Sequence, residues 1–298
     1  MVEIPEPNRE QHKNKIAQIF AFVAVFLWSI SIIFTKLGMN YYDSTTLAVL
    51  RYVFTFIILL VFIVLKKVRL PDLKDIPAFL IAGLAGFALH MITFNKGVSM
   101  LSSGTSSILL ACAPIFTSVL SVLFLKEKIN FYCWISIFVS FSGIVILTLW
   151  EGIFSFNIGI FWMLLAAFLL AVYNIFQRKF SNKYSGTEST IYSILSGAIL
   201  LMLYSPVSLL EIPKMRINEF IIVFSLAFLV SVVGYICWGK ALVMGKSAGE
   251  IANFLFLGPF ISTLTGIIFL NEKLMLSTVI GGTVILIGIV TFNKFKDK

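Results

Sequence analysis

Charge is what this sequence has least of. Only 12% of its 298 residues are Asp, Glu, Lys or Arg, while 59% are apolar, and mean hydropathy is +1.00. A soluble domain is about one quarter charged, so the composition excludes an ordinary globular fold and names lipid as the solvent. Cysteine is scarce as well. Cys112, Cys133 and Cys237 fall inside apolar runs, too odd in number and too widely spaced for a disulfide framework or a zinc site. They read as buried, inert thiols. The histidines are His12 and His90 alone, and all four Asp lie between apolar runs or in the tail. There is no metal-ligand spacing, no carboxylate pair within an apolar run and no Gly-rich nucleotide loop. No enzyme constellation is therefore expected, and no cofactor. The net charge of +9 invites a nucleic-acid reading, but Lys and Arg sit singly or in small groups between apolar runs. No basic stripe with interleaved aromatics forms, so nucleic acid is not an expected partner.

What is present is a series of ten apolar runs, at about 16–37, 45–65, 77–95, 103–125, 131–150, 157–177, 188–209, 218–240, 248–270 and 276–293. Each approaches the roughly 20 residues that cross about 30 Å of hydrocarbon, twice the length of a barrel strand. Lipid cannot satisfy free backbone groups, so the runs predict helices and an all-α integral membrane fold. The first run is too long for a signal h-region and reads as the first span. Residues 1–15, with Pro5 and Pro7, read as a disordered or surface-lying tail, and 294–298 as a short second tail. With both termini inside, the inner segments carry 17 Lys and Arg and the outer ones 5, with Arg51 inside a span. That bias predicts cytoplasmic termini.

The runs also repeat. Pro114 is followed ten residues later by Phe124-Leu125-Lys126-Glu127-Lys128, and Pro259, 145 residues on, by Phe269-Leu270-Asn271-Glu272-Lys273. Ser102 and Gly104 match Ser247 and Gly249 at the same offset, as Gly143 and Val145 match Gly288 and Val290. Two units follow, residues 16–150 and 151–293. Five spans per unit is an odd number, so the second unit inserts upside down relative to the first. Inverted repeats of this kind give two equivalent packings around a central cavity, one open to each side.

Taken in order, the ten spans, the mid-helix prolines of spans four and nine, the two Phe-Leu-x-Glu-Lys phrases, Trp28-Ser29 and Leu50-Arg51-Tyr52 resemble the drug/metabolite transporter superfamily in its EamA-type branch. The resemblance covers residues 16–293. It implies a carrier of small organic solutes, often an exporter of amino acids or related metabolites from bacteria, and it leaves the cargo open.

Polar and aromatic residues at matching depths are the candidate substrate site: Trp28, Ser31, His90, Tyr173, Asn174, Tyr235, Trp238 and Asn253. Such groups are costly in lipid and point inward, to a partner or a cavity. An aromatic-walled pocket suits an amphipathic metabolite, or a cation over ring faces. Bland readings stand beside these. His90 shares a small-residue stripe with Ala82 and Gly86 and fits a satisfied interhelical histidine, and Asn174 and Asn253 fit interhelical hydrogen bonds. Pro114 and Pro259 remove a backbone donor and crowd the carbonyls of Leu110 and Leu255, predicting helix bends around the cavity. Glu250 reads as a helix-end cap or a gating carboxylate. Glu127 and Glu272 read as terminal ion pairs or gates, and Arg51 as snorkelling outward or meeting a carboxylate.

The leading expectation is a secondary carrier in the bacterial plasma membrane, exporting amino-acid-like metabolites by alternating access. With no Walker motif, ATP hydrolysis does not drive it directly. An importer of a quaternary amine and a non-transporting membrane protein are the rivals. The expected partners are a small-molecule solute and the lipid bilayer, with a homodimer left open.

Overall fold

The computed structural model describes residues 6–126, 130–149, 157–244 and 253–296. Among them run ten helices: α1 (Glu6–Gly38), α2 (Ser44–Lys66), α3 (Ile76–Gly83, Leu84–Leu89 and His90–Met100), α4 (Ser103–Leu110 and Ala113–Leu125) and α5 (Phe131–Leu149). The second set is α6 (Ile158–Phe180), α7 (Gly186–Tyr204), α8 (Ile217–Ser225, Leu226–Gly234 and Tyr235–Met244), α9 (Asn253–Phe256 and Leu257–Leu270) and α10 (Leu276–Lys296). Seven stretches are long and apolar enough to cross a bilayer by themselves, while Phe131–Ile146, Leu257–Leu270 and Leu276–Phe292 are shorter apolar helices. Large side chains such as Val64, Leu65 and Phe138 point outward, each about three-quarters exposed. In water such a belt would drive aggregation, but it is the surface that lipid requires.

Two segments depart from the sequence reading. Residues 6–15 are not a disordered tail but the first turns of α1, because Glu, Gln and Lys are good helix formers and extend a helix already nucleated in lipid. The run 188–209 stops at Tyr204. Pro206 has no N–H to continue the ladder and forces Ser205 out of helical geometry (φ −136°, ψ 72°), so a 3-10 segment, Pro206–Lys214, follows.

The packing has twofold character. α1 lies against α8 and α9, and its mate α6 against α3 and α4; α2 packs on α7, and α5 on α10. Repeat mates run antiparallel. Asn130, at the start of α5, donates to the carbonyl of Phe295 near the end of α10 (2.5 Å). Ser103, at the start of α4, meets Glu272 beyond the end of α9. The pseudo-axis therefore lies across the helices, in the membrane plane. Ser140 Oγ donates to the Ile285 carbonyl at 3.3 Å, and these residues are 145 apart, so a position touches its own mate at that axis.

At the end of the bundle that holds the termini, the α2–α3 connection docks on the α6–α7 turn. Lys183 Nζ pairs with Asp72 at 2.5 Å and with Asp75, while Tyr184 Oη donates to Asp75 (2.5 Å). The hydrogen bond from Lys183 holds the Asp72 carboxyl below its ordinary 3.8, and the two aspartates raise Lys183 above 10.5. The Asp72 contribution is present above pH 3.8 and lost as pH falls through the depressed value. The Lys183 contribution is present below 10.5 and lost as pH rises through the raised one. Lys183→Met is thus expected to lower the melting temperature slightly, by a constant amount from roughly pH 5 to 9, with the difference closing below about pH 3.8. Thermal melts of both proteins across pH check this.

Candidate functional site

Two constellations lie where the inverted repeats meet. The first is a chain of rings in the bundle interior. Trp28 of α1 packs on Tyr235 (centroids 5.2 Å) and Trp238 (5.4 Å) of α8. Tyr235 continues to Phe87 of α3 (5.8 Å), and Phe87 to Tyr173 of α6 (4.9 Å) and Tyr52 of α2 (6.0 Å). The repeat mates Trp28 and Tyr173 are seated alike. A Cβ on Gly234 would stand 2.8 Å from Trp28 Nε1, and one on Gly86 would stand 2.6 Å from the Tyr173 ring. Only a glycine lets each ring come so close to its neighbouring helix. Both glycines lie in π-helical stretches, Leu84–Leu89 of α3 and Leu226–Gly234 of α8. Such stretches rotate side chains out of α register and concentrate at functional sites. The Trp28 indole N–H is buried and, among the described residues, has no hydrogen-bond partner, an expensive condition in an apolar interior.

Not every candidate joins the rings. Ser31 Oγ donates to the Trp28 carbonyl of its own helix (2.6 Å). His90 Nδ1 lies 2.9 Å from the Ala166 carbonyl and its ring stacks on Phe94, which places it in the α3–α6 seam. Asn174 Nδ2 donates to Thr117 Oγ1 (3.1 Å) between α6 and α4. Asn253 opens the 3-10 turn of α9; its side chain lies outside the described residues, as do Glu250 and Glu127. Pro114 begins the second half of α4, after a break at Ala111–Cys112, and Pro259 follows the 3-10 turn of α9. A discontinuity thus precedes each proline, as the lost donor requires.

The structure adds Tyr52 and Phe87 to the rings, and it overturns one of the two readings of Arg51. Arg51 does not snorkel. It is 5% exposed, and its Nε donates to Ser231 Oγ (3.0 Å) in the π-helical stretch of α8. Among the described residues it forms no ion pair. A guanidinium in a helix centre costs roughly 2.5–3.5 kcal/mol on insertion scales, so its retention needs a reason.

The second constellation closes the bundle end opposite the termini. Asn271 takes a left-handed conformation (φ 51°), as its mate Lys126 does (φ 57°). This is the x of Phe-Leu-x-Glu-Lys. The turn lets the Glu272 N–H bond back to the Gly266 carbonyl (3.2 Å), satisfying one of the carbonyls left open at the end of α9. It also folds the Glu272 side chain over Gly266, where a Cβ would clash at 2.5 Å. Glu272 Oε1 accepts from Lys36 Nζ of α1 (2.6 Å) and from Ser103 Oγ (2.9 Å), and Oε2 accepts from Ser103 N (2.8 Å). Lys36 Nζ also donates to the Leu101 carbonyl (2.6 Å). One carboxylate thus ties α1 and α9 to the N-terminus of α4, where backbone donors and helix dipole favour a negative charge.

The repeat, the broken proline helices and this closing turn are now in place, and comparison with known proteins gives them a family. Residues 15–149 and 157–294 each match the EamA-like transporter family. The chain belongs to that family. As an EamA-like protein it is a multi-pass membrane transporter. It is 31% identical over 271 residues to the uncharacterized transporter YdfC of Bacillus subtilis (strain 168), covering 91% of this chain and 88% of that one. It is 23% identical over 272 residues, 91% of each chain, to a protein of Streptantibioticus cattleyicolor named "Probable terminal-alkyne amino-acid exporter". A crystal structure only 17% identical shares the fold, with a TM-score of 0.63 over 92% of this chain and 97% of that one.

Proposed function

We propose that this EamA-like protein is a secondary carrier of small, amino-acid-like metabolites, exporting them across a bacterial plasma membrane by alternating access. Both termini are then cytoplasmic, as the Lys/Arg bias requires, and the Lys36–Glu272–Ser103 cluster is the extracellular gate. The observation that carries the reading is the ring chain Trp238–Trp28–Tyr235, continued through Phe87 to Tyr173. It lies between inverted halves and beneath a face closed by a single carboxylate. The rings supply an apolar wall. His90 and Asn174 tie together helices that carry it, Ser31 braces the Trp28 turn, and the helix breaks at Pro114 and Pro259 lie in α4 and α9, the two helices that Glu272 joins. The distant relative named as an amino-acid exporter agrees with this class of cargo.

Counterflow in proteoliposomes tests the proposal. Purified protein should accelerate exchange of at least one apolar amino acid. Trp28→Ala should reduce that exchange by about tenfold, the worth of one well-packed aromatic contact. A folded protein that moves no amino acid, amine or nucleoside contradicts it.

A further inference from the structure

We propose that Arg51 is the solute's anion-binding residue: its guanidinium receives the carboxylate of a metabolite whose apolar body lies on the neighbouring rings. The inference rests on the carrier reading above and adds the charge of the cargo. Among the described residues, the other Lys and Arg ion pairs are made with carboxylates near helix ends. Lys36 meets Glu272, Arg69 meets Asp72, Lys183 meets Asp72 and Asp75, Lys214 meets Glu211 and Arg216 meets Glu219. Lys96 and Lys240, mates at helix ends, lie over the rings of Trp162 and Phe20. Arg51 differs from all of them in being deeply buried and having no carboxylate. Among the described residues its polar partner is the Ser231 hydroxyl, and its guanidinium lies over the Tyr52 ring, 5.7 Å from the centroid.

The surroundings orient the guanidinium rather than neutralise it. Ser231 Oγ donates to the Leu226 carbonyl (3.2 Å), the five-residue spacing that the π-helical stretch creates. A lone pair is thereby left to accept from Arg51 Nε, and among the described residues no acceptor meets the terminal nitrogens of the guanidinium, which leaves them for a planar, two-oxygen acceptor. Ser231 lies one turn before Tyr235, on the same helix face, and Tyr52 packs on Phe87. The cation therefore borders the ring chain itself. A carboxylate is the planar anion that this fork matches, whether it belongs to an amino acid or to a simple aryl or alkyl acid. A quaternary amine would meet like charge, which disfavours the cationic cargo that the rings alone would admit.

The experiment compares solutes and variants in the intact protein. Thermal stabilisation and counterflow are measured with phenylalanine, its methyl ester, phenethylamine and 3-phenylpropionate. The wild type should respond to phenylalanine and ignore the ester and the amine. A response to 3-phenylpropionate identifies a general carboxylate site, and its absence identifies an amino-acid site; both agree with the proposal. Arg51→Met should raise KM for the carboxylate solute by about 10- to 100-fold, the worth of a charge-assisted pair. Arg51→Lys keeps the charge without the fork and should fall between. If Arg51→Met does not fold, the comparison of acid with ester in the wild type decides. A wild type that moves the ester or the amine as well as the acid overturns the proposal and leaves the carrier reading standing. Unchanged KM in Arg51→Met does the same and makes the residue a strut between α2 and α8. A wild type that moves no solute overturns both.

Discussion

Glu272→Gln is expected to open the face opposite the termini. The substitution keeps the volume of the side chain and removes its charge, so Lys36 loses its ion pair and the Ser103 N–H loses an ionised acceptor. Hydrogen bonds to charged groups are worth about 1.5–3 kcal/mol each. The ion pair is discounted because its side chains are 21% and 16% exposed. A net shift of about 1.4–2.8 kcal/mol moves a two-state equilibrium by about 10- to 100-fold. A cysteine at Ser107, one turn below Ser103, reports the change in a background lacking the three native cysteines. A membrane-impermeant thiol reagent should label it at least about tenfold faster in Glu272→Gln than in its parent. Equal rates would remove Glu272 from the gate.

The second large effect lies at the α5–α10 crossing. A Cβ on Gly288 would stand 2.2 Å from Ser140 Oγ, 2.7 Å from Ser140 N and 2.8 Å from the Ser136 carbonyl. Its mate Gly143 would meet Gly281 and Ile285 in the same manner, at 2.7–2.8 Å. Most of these neighbours are backbone atoms, which a rotamer change cannot move. Gly288→Ala therefore forces two helices apart at the pseudo-axis, at the upper end of the roughly 1–3 kcal/mol that overpacking costs. Its melting temperature should fall by roughly 5–10 °C, and Gly143→Ala should behave alike. Gly186→Ala is the control, because its Cβ would meet nothing within 4 Å. A Gly288→Ala protein as stable as the control would place the crossing elsewhere.

The parts of this molecule that the sequence displays are those governed by one-dimensional rules. Span positions follow from apolar run length, and the duplication is visible because Pro114, Gly143 and the closing phrase recur at one offset. Residues recurring in that way prove to occupy the axis contacts and the left-handed turns at Lys126 and Asn271. Trp28, Tyr235 and Trp238 stand out in sequence because amphipathic rings at mid-span depth are unusual, and the structure brings them into contact. Phe87 does not stand out, since it is one of 30 phenylalanines in a chain that uses them as lipid-facing filler. The π-helical stretches of α3 and α8 leave no composition signal, because they arise from how neighbouring helices press on the ladder. The outward-snorkelling reading of Arg51 fails for the same reason. Its acceptor, Ser231, is 180 residues away, and only the fold of α2 against α8 reveals that the side chain has somewhere to go other than the interface. His90 and Asn174 were ambiguous because a seam and a cavity ask for the same residue types.

On the proposed mechanism the two inverted halves separate at the Glu272 face for a solute to pass. A reversible cross-link across that face tests it most directly. The ideal Cβ of Gly104 lies 3.3 Å from the Thr263 Cβ, close to the spacing of a disulfide. Gly104→Cys/Thr263→Cys, in a background without native cysteines, should therefore bridge α4 to α9 on oxidation. With the solute identified by counterflow, the oxidised protein should not transport, and reductant should restore the rate. Full transport by protein that is demonstrably cross-linked would contradict the account.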